Sequence, residues 1–145
     1  MEIQKGEYLI STDFEKLDLV KIHGFLSKEA YWSLNIPFET VKKAAENSLN
    51  FGVYYTDKQI GYARVISDFS TIAYLGDVFI LPEYRGRGLS QWLMETITHY
   101  PELQGLRRWI LLTSDAHGLY RKYGWKDIAN PVNWMEKHNK DVYKK

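Results

Sequence analysis

The chain contains no cysteine. Disulfides, zinc–thiolate centres and a cysteine nucleophile are therefore excluded together. It also lacks any apolar run of membrane-spanning length, and its opening, Met1-Glu-Ile-Gln-Lys-Gly6, has no signal-peptide core. A cytoplasmic location with no membrane partner is the expectation. The formal net charge is only +1, too little for a surface dedicated to phosphate backbones, so no nucleic-acid partner is expected. The four histidines, at 23, 99, 117 and 138, show no local ligand spacing, and no metal is expected.

What is present suits one compact unit. A length of 145 residues fits a single domain, 1–145, and hydrophobic residues at 45% supply its core. The 5 Trp and 11 Tyr carry polar tips, so some are expected to line a pocket or an interface, a homodimer included. Tyr31, Trp32 and Trp92 fit either core packing or an aromatic pocket for a cation or a flat ring.

Hydrophobic period gives the element order. Tyr8–Ser11 reads as a strand. Thr12 or Asp13 is placed to cap a helix through Phe14, Leu17, Val20 and Ile22. Pro37 suits the start of a helix reaching Leu49. Phe51–Tyr55 and Ile60–Ile66 then flank Thr56–Gln59 as a hairpin, followed by a strand from Ile72 to Leu81 that Pro82 ends. A helix over 88–99, a strand over Trp109–Thr113, a short helix over 115–123 and an edge strand starting at Trp125 complete the chain. The fold class is α/β in the mixed α+β sense, with helices covering a largely antiparallel sheet.

The densest chemical signal is Asp77-Val-Phe-Ile-Leu-Pro-Glu-Tyr-Arg-Gly-Arg-Gly-Leu-Ser90, a strand running into a basic glycine turn and then a helix. Two glycines let the backbone approach a ligand closely, and the helix start offers unpaired N–H groups to a pyrophosphate. A Walker loop needs a lysine after its glycines, but Gly88 is followed by Leu89 and Ser90. A dinucleotide fingerprint needs a third glycine where Gln91 stands.

Arg85-Gly-Arg-Gly88-Leu-Ser90 resembles the acyl-CoA signature of the GNAT N-acetyltransferases, with Ser90 in place of the last small residue. A second block, Ala116-His-Gly-Leu-Tyr120-Arg-Lys-Tyr-Gly124-Trp125, is similar to the segment that carries the family's tyrosine. Together the blocks cover roughly the latter half of the chain.

The resemblance implies a central twisted sheet with helices on both faces and a splayed cofactor cleft. It implies acetyl-CoA as cosubstrate, its pyrophosphate on the N–H groups of Arg87, Gly88, Leu89 and Ser90, with Arg85 and Arg87 adding charge. Phe79 and Ile80 are the expected backbone contacts of the pantetheine arm. The acceptor would be a small amine or a peptide amine, attacking directly in a ternary complex. Tyr120 matches the proton donor to the departing thiolate. Asp77 is the leading base-side residue, with His23 and His117 as rivals; each also suits a purely structural place. An acyl-CoA-binding domain without catalysis is the alternative function.

Overall fold

The structure, a computed structural model, describes residues 1–145. Six strands form one sheet in chain order: β1 (Glu2–Lys5), β2 (Tyr8–Ser11), β3 (Leu49–Tyr55), β4 (Lys58–Ser67), β5 (Ile72–Ile80) and β6 (Arg108–Leu111). All neighbours are antiparallel except β5 and β6. That parallel pair needs a crossover. The segment between them supplies it with α3 (Leu89–Thr98), while α1 (Leu19–Lys28) and α2 (Phe38–Glu46) join β2 to β3.

Two apolar clusters sit on the sheet. The larger joins α3 and Tyr120, on α4 (His117–Arg121), to Ile10, Phe51, Val53, Val65 and Leu75. The smaller joins α1 and α2 to Tyr62 and Phe79, whose ring stacks on Phe25 at 4.0 Å. Helices thus cover both faces, in agreement with the expected mixed α+β class.

Register decides which residues of β5 reach which cluster. Tyr62 pairs with Phe79 but Arg64 pairs with Gly76, so Asp77 and Val78 together face one residue of β4. This is a β-bulge, and Asp77 occupies it at φ 53°, a left-handed conformation that aspartate tolerates better than most residues. The bulge resets the two-residue alternation. Ala73 and Leu75 face the larger cluster before it, and Ile80 does so after it, while Phe79 faces the smaller one.

Several boundaries differ from the sequence expectation. The first helix is split: Asp13 caps only a 3-10 turn over Phe14–Lys16, and Asp18 caps α1 by accepting from the Lys21 N–H at 3.0 Å. Between them the chain is extended and the Asp18 N–H donates to Gln59 Oε1 at 2.7 Å, a tertiary bond no local pattern shows. Helix α2 stops at Glu46, because Ser48 and Asn50 side chains donate to the carbonyls of Ala44 and Ala45. Leu49 accordingly starts β3. Strand β1 was absent from the expectation; all four of its residues are exposed, so it has no apolar alternation to detect. No strand starts at Trp125. Its ring turns onto Trp109 and Tyr120 instead, each at 5.9 Å, and no strand follows β6.

Gly61 marks a close approach between β4 and the end of β5. A Cβ there would lie 2.6 Å from Ile80 Cδ1 and 2.9 Å from the Phe79 carbonyl oxygen. Gly61→Ala is expected to destabilise the protein by about 1–3 kcal/mol, since one partner is backbone and yields only with the strand. A thermal melt would show this as a fall in Tm of roughly 3–8 °C; an unchanged Tm would mean that β5 shifts freely.

Candidate active site

Strands β5 and β6 pair from Ile72–Arg108 to Leu75–Leu111 and then part. Strand β5 continues to Ile80 without that neighbour. β6 ends at Leu111, two residues before the expected Thr113, because beyond the bulge it has no partner to follow. One edge of residues 76–80 is therefore open to a ligand backbone.

Alternation within the strand says which residues serve that edge. The Leu81 N–H donates to the Ile60 carbonyl at 2.8 Å, so Leu81 and, two residues back, Phe79 turn their backbones toward β4. Ile80 and Val78 turn theirs to the gap. Ile80, one of the two expected pantetheine contacts, lies on the open edge, whereas the backbone of Phe79, the other, faces β4 and its side chain is buried in the smaller cluster. Val78 takes its place.

At the end of β5 the turn Arg85–Gly88 leads into α3. Gly86 and Gly88 have φ of 79° and 77°, and a Cβ on either would meet no protein atom within 4 Å. The demand for glycine is therefore conformational, and the space beside the turn is open. Gly88 is the N-cap of α3 and supplies no side-chain cap, so the N–H groups of the first turn remain available. Gly88, Leu89 and Ser90 line a hollow of about 220 Å³ together with Ile80, Tyr84 and Arg85. This is the chemistry of an anion seat.

The two arginines of the turn act differently. Arg85 folds back, its Nε donating to the Ile80 carbonyl at 2.9 Å. Arg87 lies over the Tyr84 ring at 5.2 Å and donates from Nη1 to the Tyr8 hydroxyl at 2.9 Å. Tyr8 in turn packs on Tyr55 at 5.1 Å. These tyrosine supports come from three separate segments and escaped the sequence reading.

Tyr120 is buried at 8% exposure in the larger cluster. Burial first, and then Asp115 and Tyr31, push its phenol up to about 12. The Tyr123 hydroxyl donates to the Gln91 carbonyl at 3.0 Å, fixing the end of α4 against α3. Tyr54 and Tyr62 are also raised by burial. A phenol whose folded pKa exceeds its unfolded value of about 10 contributes stability that is intact below pH 10 and lost as pH rises through the folded pKa. Equilibrium unfolding should therefore show stability falling from pH 10 upward; a flat profile from pH 10 to 12 would contradict these burials.

Asp77 is held on both carboxylate oxygens. Arg64 Nε donates to Oδ2 at 2.9 Å and Trp32 Nε1 donates to Oδ1 at 2.9 Å. Arg64 also donates from Nη1 to Ser48 Oγ at 3.1 Å. Asp77 therefore stands where expected, at the gap, but as part of a fixed chain of donors. His23 is elsewhere: its Nε2 bonds the Ile36 carbonyl at 2.9 Å and its ring packs on Phe38. His117 is exposed at the start of α4. It borders a different cavity, about 480 Å³, on the outer side of β6 between Leu111 and Trp134. That cavity is the larger, and Tyr120 lines it as well, but it lacks the glycine turn and the open edge of β5, so the smaller hollow is the candidate anion seat. No three His, Asp or Glu side chains are grouped to hold a metal ion.

The parallel pair parts beside a glycine-capped helix, which puts an open strand edge next to an anion seat. Residues 46–127 match the acetyltransferase (GNAT) domain model. A crystal structure from Xanthomonas campestris pv. campestris, of a protein assigned to the GNAT family, superposes with a TM-score of 0.94 at 46% identity, over 98% of this chain and 100% of that one. A Gibberella zeae protein classed as an acetyltransferase is 34% identical over 85% of this chain and 81% of its own length. A Clostridium acetobutylicum acetyltransferase solved with acetyl-CoA shares the fold, with a TM-score of 0.68 at 17% identity over 90% of this chain and 94% of that one. The chain belongs to the GNAT acetyltransferase family. No helix in it is long and apolar enough to cross a membrane.

Proposed function

We propose that the protein transfers an acetyl group from acetyl-CoA to a primary amine, by direct attack within a ternary complex in the cytoplasm. The observation that carries this reading is the parting of β5 from β6 after Leu75, ending beside the uncapped start of α3. When bound, acetyl-CoA supplies an activated thioester.

The chain's own residues do the rest. N–H groups of Arg87, Gly88, Leu89 and Ser90 seat the pyrophosphate, and Arg87 adds charge from a position fixed by Tyr8 and Tyr84. Arg85 sets the end of β5 through the Ile80 carbonyl. Val78 and Ile80 present their backbones to the pantetheine amides along the open edge. Tyr120, raised to about 12, keeps its proton at neutral pH and gives it to the sulfur as the C–S bond breaks.

The amine must lose a proton, because an alkylamine has a pKa of about 10. Asp77 is the carboxylate at the gap, but Arg64 and Trp32 occupy both its oxygens. It positions the ammonium and a water that carries the proton away.

Thiol release tests the reading. The chain has no cysteine, so a thiol reagent reports free CoA without background from the protein. Amine-dependent thiol release, with the acetylated amine seen by mass spectrometry, is the expected result. Tight acetyl-CoA binding without release across primary amines would instead mark a binding domain.

A further inference from the structure

The loop between α1 and α2 crosses the mouth of the gap. Trp32 bonds Asp77 on the bulge of β5. Its neighbour Tyr31 receives the Ser114 N–H at 3.0 Å, just past the end of β6. Two adjacent side chains thus bridge the two strands where they part. The turn Gly86–Ser90 follows the end of β5, and Asp77 lies three residues before Ile80, so this bridge stands about 10 Å back along the strand from that end, inside the gap.

The two rings are perpendicular, with centroids 5.1 Å apart at 87°, and they are 54% and 44% exposed. Such a corner supplies two walls of a cation-binding aromatic site. Three aromatic faces of the molecule already carry a cation of the chain: Tyr84 holds Arg87, Trp92 holds Lys5 and Trp134 holds Arg108. The Tyr31–Trp32 corner carries none. Arg64 offsets the charge of Asp77, so the ring faces supply the attraction, together with Asp115, the neighbour of the Ser114 that donates to Tyr31.

We infer that Tyr31 and Trp32 form the acceptor-selecting wall of the site, and that the acceptor is an alkyl amine carrying a second cationic group, such as a diamine. The inference rests on the proposed acetyl transfer and adds the substrate class. The first ammonium lies on the ring faces while the second amine, deprotonated, reaches the thioester. An anionic substituent at the same distance meets the same ring faces and Asp115 and is rejected.

Two measurements on the full chain test it. The first compares kcat/KM for a diamine, a neutral monoamine and an amino carboxylate of matched length. The diamine is expected to exceed the carboxylate by about 5-fold or more, in line with a cation on two half-exposed ring faces. Trp32→Leu and Tyr31→Leu should abolish the preference through KM of the diamine, and Trp32→Phe should restore part of it by keeping a ring face. The second needs no turnover: butylammonium, butanol and butyrate are titrated against tryptophan fluorescence. Saturable binding of butylammonium alone, lost in Tyr31→Leu, which keeps the Trp32 fluorophore, while acetyl-CoA still binds, supports the wall. Equal use of the three acceptors, an equal loss for all of them in Trp32→Leu, or no selective butylammonium binding would overturn it. Absence of thiol release with every amine would defeat the transfer reaction itself, and the fluorescence titration would still decide the wall.

Discussion

Tyr120→Phe is expected to lower kcat by roughly 10²–10³-fold while leaving the acetyl-CoA dissociation constant within about two-fold, the range for loss of one positioned proton donor. The substitution keeps the ring that packs in the larger cluster and against Trp125. It removes only the hydroxyl, so a folding defect would not explain the loss. The pH profile separates this role from others. The phenol is raised to about 12, so it stays protonated across the whole working range. Any alkaline limb of kcat below about pH 10 must then belong to another group and persist in the variant's residual rate. A kcat close to that of the parent would remove Tyr120 from the chemistry. A parallel rise in the dissociation constant of acetyl-CoA would make it a binding residue.

Arg64→Ala should be the most damaging single change at the gap. Arg64 and Asp77 are 18% and 14% exposed, and the ion pair measures 2.9 Å. Removing one partner strands a carboxylate on a bulged strand in a left-handed conformation. A fully buried pair would lose about 3–5 kcal/mol; the residual exposure reduces this to about 2–3 kcal/mol. The corresponding fall in Tm is roughly 5–10 °C. A double-mutant cycle makes the test specific. Asp77→Ala added to Arg64→Ala should recover part of the loss, because the stranded charge is gone. Strict additivity would show that the pair carries no coupling and that the bulge stands without it.

The part of the site that could be read from sequence is local. Gly86, Gly88 and the start of α3 form one continuous segment, and their conformations follow from residue type. Tyr120 sits on a short amphipathic helix whose spacing is visible in the chain. The remainder depends on register. Arg64 and Asp77 become neighbours only because β4 and β5 pair with one residue extra, and an aspartate in a left-handed bulge leaves no periodic trace. Phe79 was expected from the resemblance to serve the gap together with Ile80, and the alternation of backbone direction turns it to β4. The bridge from Tyr31 to Ser114 spans 83 positions in sequence and has no local signature. Strand β1 and the absent strand at Trp125 show the same limit, since edge pairing depends on neighbours more than on apolar pattern.

The bulge at Asp77 has one more consequence. It places the two halves of β5 out of phase, so inward and outward positions exchange across a single residue. Amino acids can be replaced along this strand one at a time, each at a local cost. Closing the bulge with Asp77 retained is different in kind: a regular ladder through all the residues would turn Phe79 toward α3 and Ile80 toward α1 in one step. The facing of Phe79 and Ile80 therefore depends on the backbone conformation held at one residue, Asp77, more than on any apolar side chain of the strand.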